Sequence, residues 1–89
     1  MRCFPLLIFA LLLINQPAGK TQSSLLEGVK RNPEEAKSLC KQFRKLNEQG
    51  ISANSSEALE KLSKQKNLSK IDAEILSMYV IGLNCPDVQ

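Results

Sequence analysis

Two cysteines, Cys40 and Cys85, carry the clearest chemistry in this 89-residue chain. They lie 45 positions apart and can either close one disulfide or work as a redox dithiol. Reactive dithiols usually sit close in sequence, as in Cys-X-X-Cys, with a helix N-terminus or positive neighbours lowering one thiol pKa. Here Cys40 falls on the apolar stripe of a predicted helix, and Cys85 follows a predicted helix C-terminus, where the dipole raises a thiol pKa. A structural disulfide is therefore the expected pairing, with two free thiols or a redox pair as the alternatives.

Other reactive combinations are weaker. The chain has no histidine, which removes nucleophilic pairs of the Ser–His and Cys–His kind. Ser38 with Lys41 and Ser63 with Lys66 have the spacing of a Ser–Lys pair, but exposed serine and lysine fall at helical neighbours on many solvated surfaces. Glu34-Glu35 has sufficient purpose as helix-start charge, and Glu57 with Glu60 lies on a predicted exposed face. Without histidine, and with two cysteines after the leader, the chain falls short of a four-ligand zinc site. No catalytic, cofactor-binding or metal-binding residue is expected, and the chain does not read as an enzyme.

The redox argument depends on compartment. Met1-Arg2, the apolar run Phe4 to Ile14, and the polar and small residues Asn15-Gln16-Pro17-Ala18-Gly19 are the three regions of a secretory signal peptide. The run holds eleven residues, whereas crossing a bilayer takes about 20, so a retained anchor is the weaker reading. Residues 1–19 are expected to be the leader and 20–89 one helical domain, secreted or periplasmic, with no stable membrane span after cleavage. Cys3 precedes the apolar run and should leave with it. In an oxidising compartment Cys40 and Cys85 pair readily, and a domain of this size commonly needs such a staple beside its small core.

The net charge of +3 is spread among interspersed acids and bases. Lys37, Lys41 and Arg44 form a basic stripe that Glu34 and Glu48 dilute, and a solvated face is the plainer explanation. After the leader the only aromatics are Phe43 and Tyr79, both expected in the core. Nucleic-acid binding lacks both the concentrated positive field and the stacking residues it uses.

Helix signals account for almost all of the remaining chain. Ser24-Leu25-Leu26-Glu27 matches a capping box for a short first helix ending near Arg31. Asn32-Pro33-Glu34-Glu35 opens a second helix, whose stripe is Ala36, Leu39, Cys40, Phe43 and Leu46 and whose end is Gly50. Asn54-Ser55-Ser56-Glu57 opens a third, with Ala58, Leu59 and Leu62 as its apolar face. Ser69 with Asp72 opens a fourth that runs to about Asn84 before Pro86. Ile71, Ile75, Leu76, Met78, Tyr79, Val80, Ile81 and Leu83 nearly encircle this fourth helix, leaving Glu74 and Ser77 as its polar strip. Such a helix is expected to be central, covered by its neighbours. Gly82, on the Ile71–Ile75–Met78 face, would admit close approach of another backbone. Asn54-Ser55-Ser56 and Asn67-Leu68-Ser69 fit the N-glycosylation pattern, which matters only in a eukaryotic source. The expected fold is all-α, a small bundle of three to four short helices closed by one disulfide.

The ending Tyr79 to Asp87, Y-V-I-G-L-N-C-P-D, together with Cys40…Gly50 upstream, resembles a family of small exported bacterial domains of unknown function. Those are best known from mycobacteria, with similar short cyanobacterial proteins. The likeness runs from about Leu25 to Val88 and implies export and a helical, disulfide-linked fold, but no activity, cofactor or catalytic residue. The functional expectation is non-enzymatic binding of a protein or envelope component; the alternative is carriage of a small apolar ligand or lipid between the helices.

Overall fold

The computed structural model describes residues 21–89; the expected leader at 1–19 lies outside the described residues. The chain forms four helices: α1 (Gln22–Arg31), α2 (Pro33–Glu48), α3 (Ser56–Lys66) and α4 (Lys70–Asn84). Among the described residues there is no strand. The fold is the all-α bundle that the periodicity implies.

Local chemistry explains each boundary. Helix α1 starts earlier than the Ser24 capping box suggests. Thr21 is the cap, its Oγ1 accepting from the Ser24 amide at 3.1 Å. Thr21 offers the same hydroxyl three residues upstream, so the helix gains most of a turn. Asn32 also differs from expectation: it precedes α2, but its side chain makes no capping bond there. Instead its Nδ2 and its backbone amide both donate to the Gly28 carbonyl, closing the end of α1. Pro33 then starts α2 at a position where a missing N–H is harmless.

Gly50 terminates α2 at φ +78°, a left-handed conformation that a Cβ disfavours. The Ile51 amide reaches the Leu46 carbonyl at 2.8 Å and the Gly50 amide reaches Asn47 at 3.0 Å, the paired bonds of a Schellman ending. Asn67 ends α3 in the same way at φ 54°, with the Leu68 amide on the Ser63 carbonyl at 2.9 Å. Ser55 and Ser69 cap α3 and α4 through their hydroxyls, accepting from Ala58 at 3.2 Å and Asp72 at 3.1 Å.

Helix α4 packs against each of the other three, and α1 also rests on α2. The core joins Val29, Ala36, Leu39, Phe43, Leu62, Ala73, Leu76 and Val80 with both cysteines. Tyr79 is only partly buried against it. The expectation that α4 is covered on nearly every side needs correction. Its buried face is Ala73, Leu76, Ser77 and Val80, and Ser77, assigned above to the polar strip, is 1% exposed. Burial is tolerated because the Ser77 hydroxyl donates to the Glu74 carbonyl at 2.7 Å, which satisfies it within its own helix. Ile71 and Met78 instead face solvent.

Candidate functional site

Two features could carry function: the disulfide with the tail it anchors, and the outward face of α4. Cys40 reaches inward from the middle of α2 because it shares a stripe with Ala36, Leu39 and Phe43. Cys85 is the residue at which α4 ends, its amide still bonded to the Ile81 carbonyl. A disulfide joins them with the Cα atoms 6.0 Å apart, inside the usual span for such bonds. Cys40 is 3% exposed and Cys85 0%. Thiol exchange requires an attacking thiolate to reach a sulfur, and this bond is sealed from one.

Beyond the cysteine, the chain turns and is fastened at several points. Val88 is buried. Arg44 donates from Nε and Nη2 to the two Asp87 oxygens, each at 3.0 Å. Asn47 uses its whole amide: Oδ1 accepts from the Gln89 amide at 2.7 Å, while Nδ2 donates to the Gln89 carbonyl at 2.8 Å and the Ile51 carbonyl at 3.0 Å. The Ala53 amide adds a further bond to Gln89 at 2.8 Å. The two-point bond from Arg44 holds the Asp87 carboxyl below the usual carboxylate range, and Asp87 in turn raises Arg44. Sequence reading placed Arg44 in a basic stripe; the structure spends it on the tail, and Lys37 pairs with Glu34 at 3.7 Å. No local signal announced this latch, because its partners lie more than forty positions apart and meet only in the folded chain.

The remaining candidates disperse. Ser38 and Lys41 are both exposed, with no hydrogen bond between them among the described residues. The Ser63 hydroxyl donates to the Leu68 carbonyl, and Lys66 pairs with Glu35 across the ends of α2 and α3. Glu35 thus ties two helices together as well as starting one. Among the described residues no cluster of acidic or cysteine side chains could hold a metal, and no helix is long and apolar enough to cross a membrane.

The outward face of α4 is the feature with binding geometry. At 3.6 residues per turn, Ile71, Ile75, Met78 and Gly82 fall within about 60° of arc, on the side opposite Ala73 and Val80. Ile71 is 70% exposed and Met78 62%. Leu83, 56% exposed, lies to one side of this strip. A side chain at Gly82 would meet nothing, so no element among the described residues exploits the close approach that glycine permits.

A crevice of about 210 Å³ opens on another side. Leu25 and Val29 of α1, Leu39 of α2, Leu68, and Leu76 and Val80 of α4 form its walls, with Glu35 and Lys66 among the polar residues that line it.

A small helical bundle clamped by one buried disulfide, with an apolar strip outside it, is the class of domain that these observations define. Residues 26–85 match a family described as a domain of unknown function, DUF8664, and the chain belongs to that family. No curated protein and no solved structure matches it.

Proposed function

We propose that the chain is an exported, non-enzymatic module that binds a protein or an envelope component through the outward face of α4. The observation that carries this reading is the pair Ile71 and Met78, both exposed two turns apart on the face of α4 opposite the core, with the half-buried Ile75 between them. Single exposed apolar residues are ordinary; several in line on one helix have the shape of a contact surface. Export is supported by the three-region leader and by a cysteine pair suited to an oxidising compartment. The likeness of Cys40…Gly50 and Tyr79–Asp87 to exported mycobacterial domains supports a bacterial envelope setting. A non-catalytic role is supported by the dispersal of Ser63 and Lys66 into structural bonds. The test is affinity capture from envelope extract of the native host, with the parent and an Ile71→Ser/Met78→Ser variant compared at equal folded stability. A partner recovered by the parent and lost by the variant is expected; equal recovery by both overturns the reading.

The crevice beside α1 favours a second reading, carriage of a small apolar molecule. Its magnitude restricts that reading. A cavity of about 150 Å³ holds one benzene, whereas drug-sized ligands occupy about 300–1,000 Å³. At about 210 Å³ the crevice has room for a single small ring or a short stretch of chain, and a longer apolar molecule or lipid would extend beyond it. Calorimetric titration with a short-chain alcohol is expected to show saturable binding that Val29→Trp abolishes; a flat titration of the parent removes the carrier reading.

A further inference from the structure

We infer that the crevice beside α1 takes a free α-amino acid with an apolar side chain, held at its charged head by Glu35 and Lys66. The inference rests on the carriage reading of that crevice and names the chemistry of its ligand.

The walls decide one end of the ligand. Leu25, Val29, Leu39, Leu76 and Val80 line the crevice and belong to the buried residues of the domain. A group seated among them meets hydrocarbon from α1, α2 and α4. A space of about 150 Å³ holds a benzene. At about 210 Å³ the crevice holds one phenyl ring or branched alkyl group, with room for the atoms that join it to a head.

The charges decide the other end. Of the residues that line the crevice, only Glu35 and Lys66 are charged, and they pair with each other. Glu35 lies in the first turn of α2 and Lys66 in the last turn of α3. Their side chains are 48% and 24% exposed, so a solute can reach both. Ser24 and Asn32, also in the lining, are uncharged. An apolar crevice thus carries one anion and one cation side by side.

That arrangement discriminates among heads. A lone carboxylate is attracted to Lys66 but repelled by Glu35, and a lone ammonium meets the reverse. An uncharged head forms no ion pair with either. An α-amino acid carries both charges on one carbon, as close together as the protein's own pair. Its carboxylate can take Lys66 while its ammonium takes Glu35, so that four charges alternate in sign and each is hydrogen-bonded to an opposite one. The side chain on the same carbon is left for the apolar walls. A zwitterion whose charges stand many bonds apart does not match a protein pair in direct contact. A ligand of about a dozen heavy atoms with a partly exposed head binds weakly, with a dissociation constant of about 1 mM.

The test removes the ligand's charges one at a time. NMR titration of the oxidised protein, made with its native leader, would use phenylalanine and three relatives. Hydrocinnamate lacks the ammonium, phenethylamine lacks the carboxylate, and phenethyl alcohol lacks both charges. Each is added to about 20 mM in about 0.15 M salt, and the Val29 and Leu39 methyl signals report occupation of the crevice. Phenylalanine is expected to bind about fivefold or more tightly than each relative. Two variants then read the sign of each contact. Lys66→Gln is expected to turn the preference toward phenethylamine, and Glu35→Gln toward hydrocinnamate. A pair that only ties two helices together would leave the order of ligands unchanged. Circular dichroism of each variant controls for folding, and the parent's own order of ligands decides the matter if a variant fails to fold. Phenylalanine no tighter than any one of its relatives, or folded variants that keep the parent's order, overturns the inference. Carriage of apolar molecules then still stands if phenethyl alcohol saturates the crevice. A parent that binds none of the four removes both.

Discussion

Ser77 and Met78 are adjacent in sequence and about 100° apart around α4, yet one is buried in the core and the other faces solvent, 1% and 62% exposed. That one step separates core from contact face on α4, and it can be tested with the same substitution at both positions. Ser77→Asp places a carboxylate on the buried face that Ser77 shares with Ala73, Leu76 and Val80, and should destabilise the domain by about 3 kcal/mol or more. Met78→Asp should stay within about 0.5 kcal/mol of the parent. Urea midpoints would read both, and equal losses would contradict the facing assigned to α4.

Removing the clamp should be costly. Cys40 and Cys85 close a loop of 45 positions, and loop-closure entropy for that span gives about 4 kcal/mol at room temperature. In a domain of this size that is comparable with everything the core supplies. Cys85→Ser should shift the urea midpoint strongly downward and leave the chain open to proteases. Coincident unfolding curves for parent and variant would refute it.

Acid should loosen the tail before it unfolds the core. Arg44 holds the Asp87 carboxyl below its ordinary range. A carboxyl with a depressed folded-state pKa contributes above its unfolded value of about 4 and loses that contribution as pH falls through the lower folded value. The Val88 and Gln89 amides should therefore lose hydrogen-exchange protection below about pH 4 while those of the α2 interior keep it. The pair is exposed and screened by salt, so the global midpoint should scarcely move at neutral pH. Asp87→Asn should show the loosened tail at every pH; protection that is independent of pH in the parent would contradict the assignment.

Asn47 fastens the same tail by hydrogen bonding. Asn47→Ala deletes three bonds to Gln89 and Ile51, of which water can replace the exposed ones. A loss of about 1–2 kcal/mol is expected, with the Gln89 amide becoming freely exchanging. A change below about 0.3 kcal/mol would show that the bond to Ala53 and the burial of Val88 suffice.

Much of this architecture was legible in the sequence because its signals are local. The hydroxyl cap at Ser69, Pro33 at a helix start and Gly50 at a helix end each act over four or five residues; the Asn54–Glu57 opening of α3 was legible too, with its cap one residue later, at Ser55. The Ala36–Leu39–Cys40–Phe43 stripe likewise needs only its own periodicity. The errors arose where two local signals competed or where distant groups met. Thr21 and Ser24 both offer a cap hydroxyl, and the earlier one prevails. Asn32 could cap α2 or close α1, and it closes α1. For α4, an apolar majority around the helix hid which side the neighbours would occupy; a buried serine is satisfied by its own backbone, so its polarity misled. The tail latch is invisible locally, since Arg44 and Asn47 find Asp87 and Gln89 only through the fold.

The contact reading presupposes an exported domain with its cysteines joined, and intact mass spectrometry of the protein from its native host tests that premise most directly. After alkylation without reduction, the expected mass is that of a chain beginning near Lys20, with no alkyl group added. A full-length chain carrying alkyl groups on Cys40 and Cys85 would contradict it.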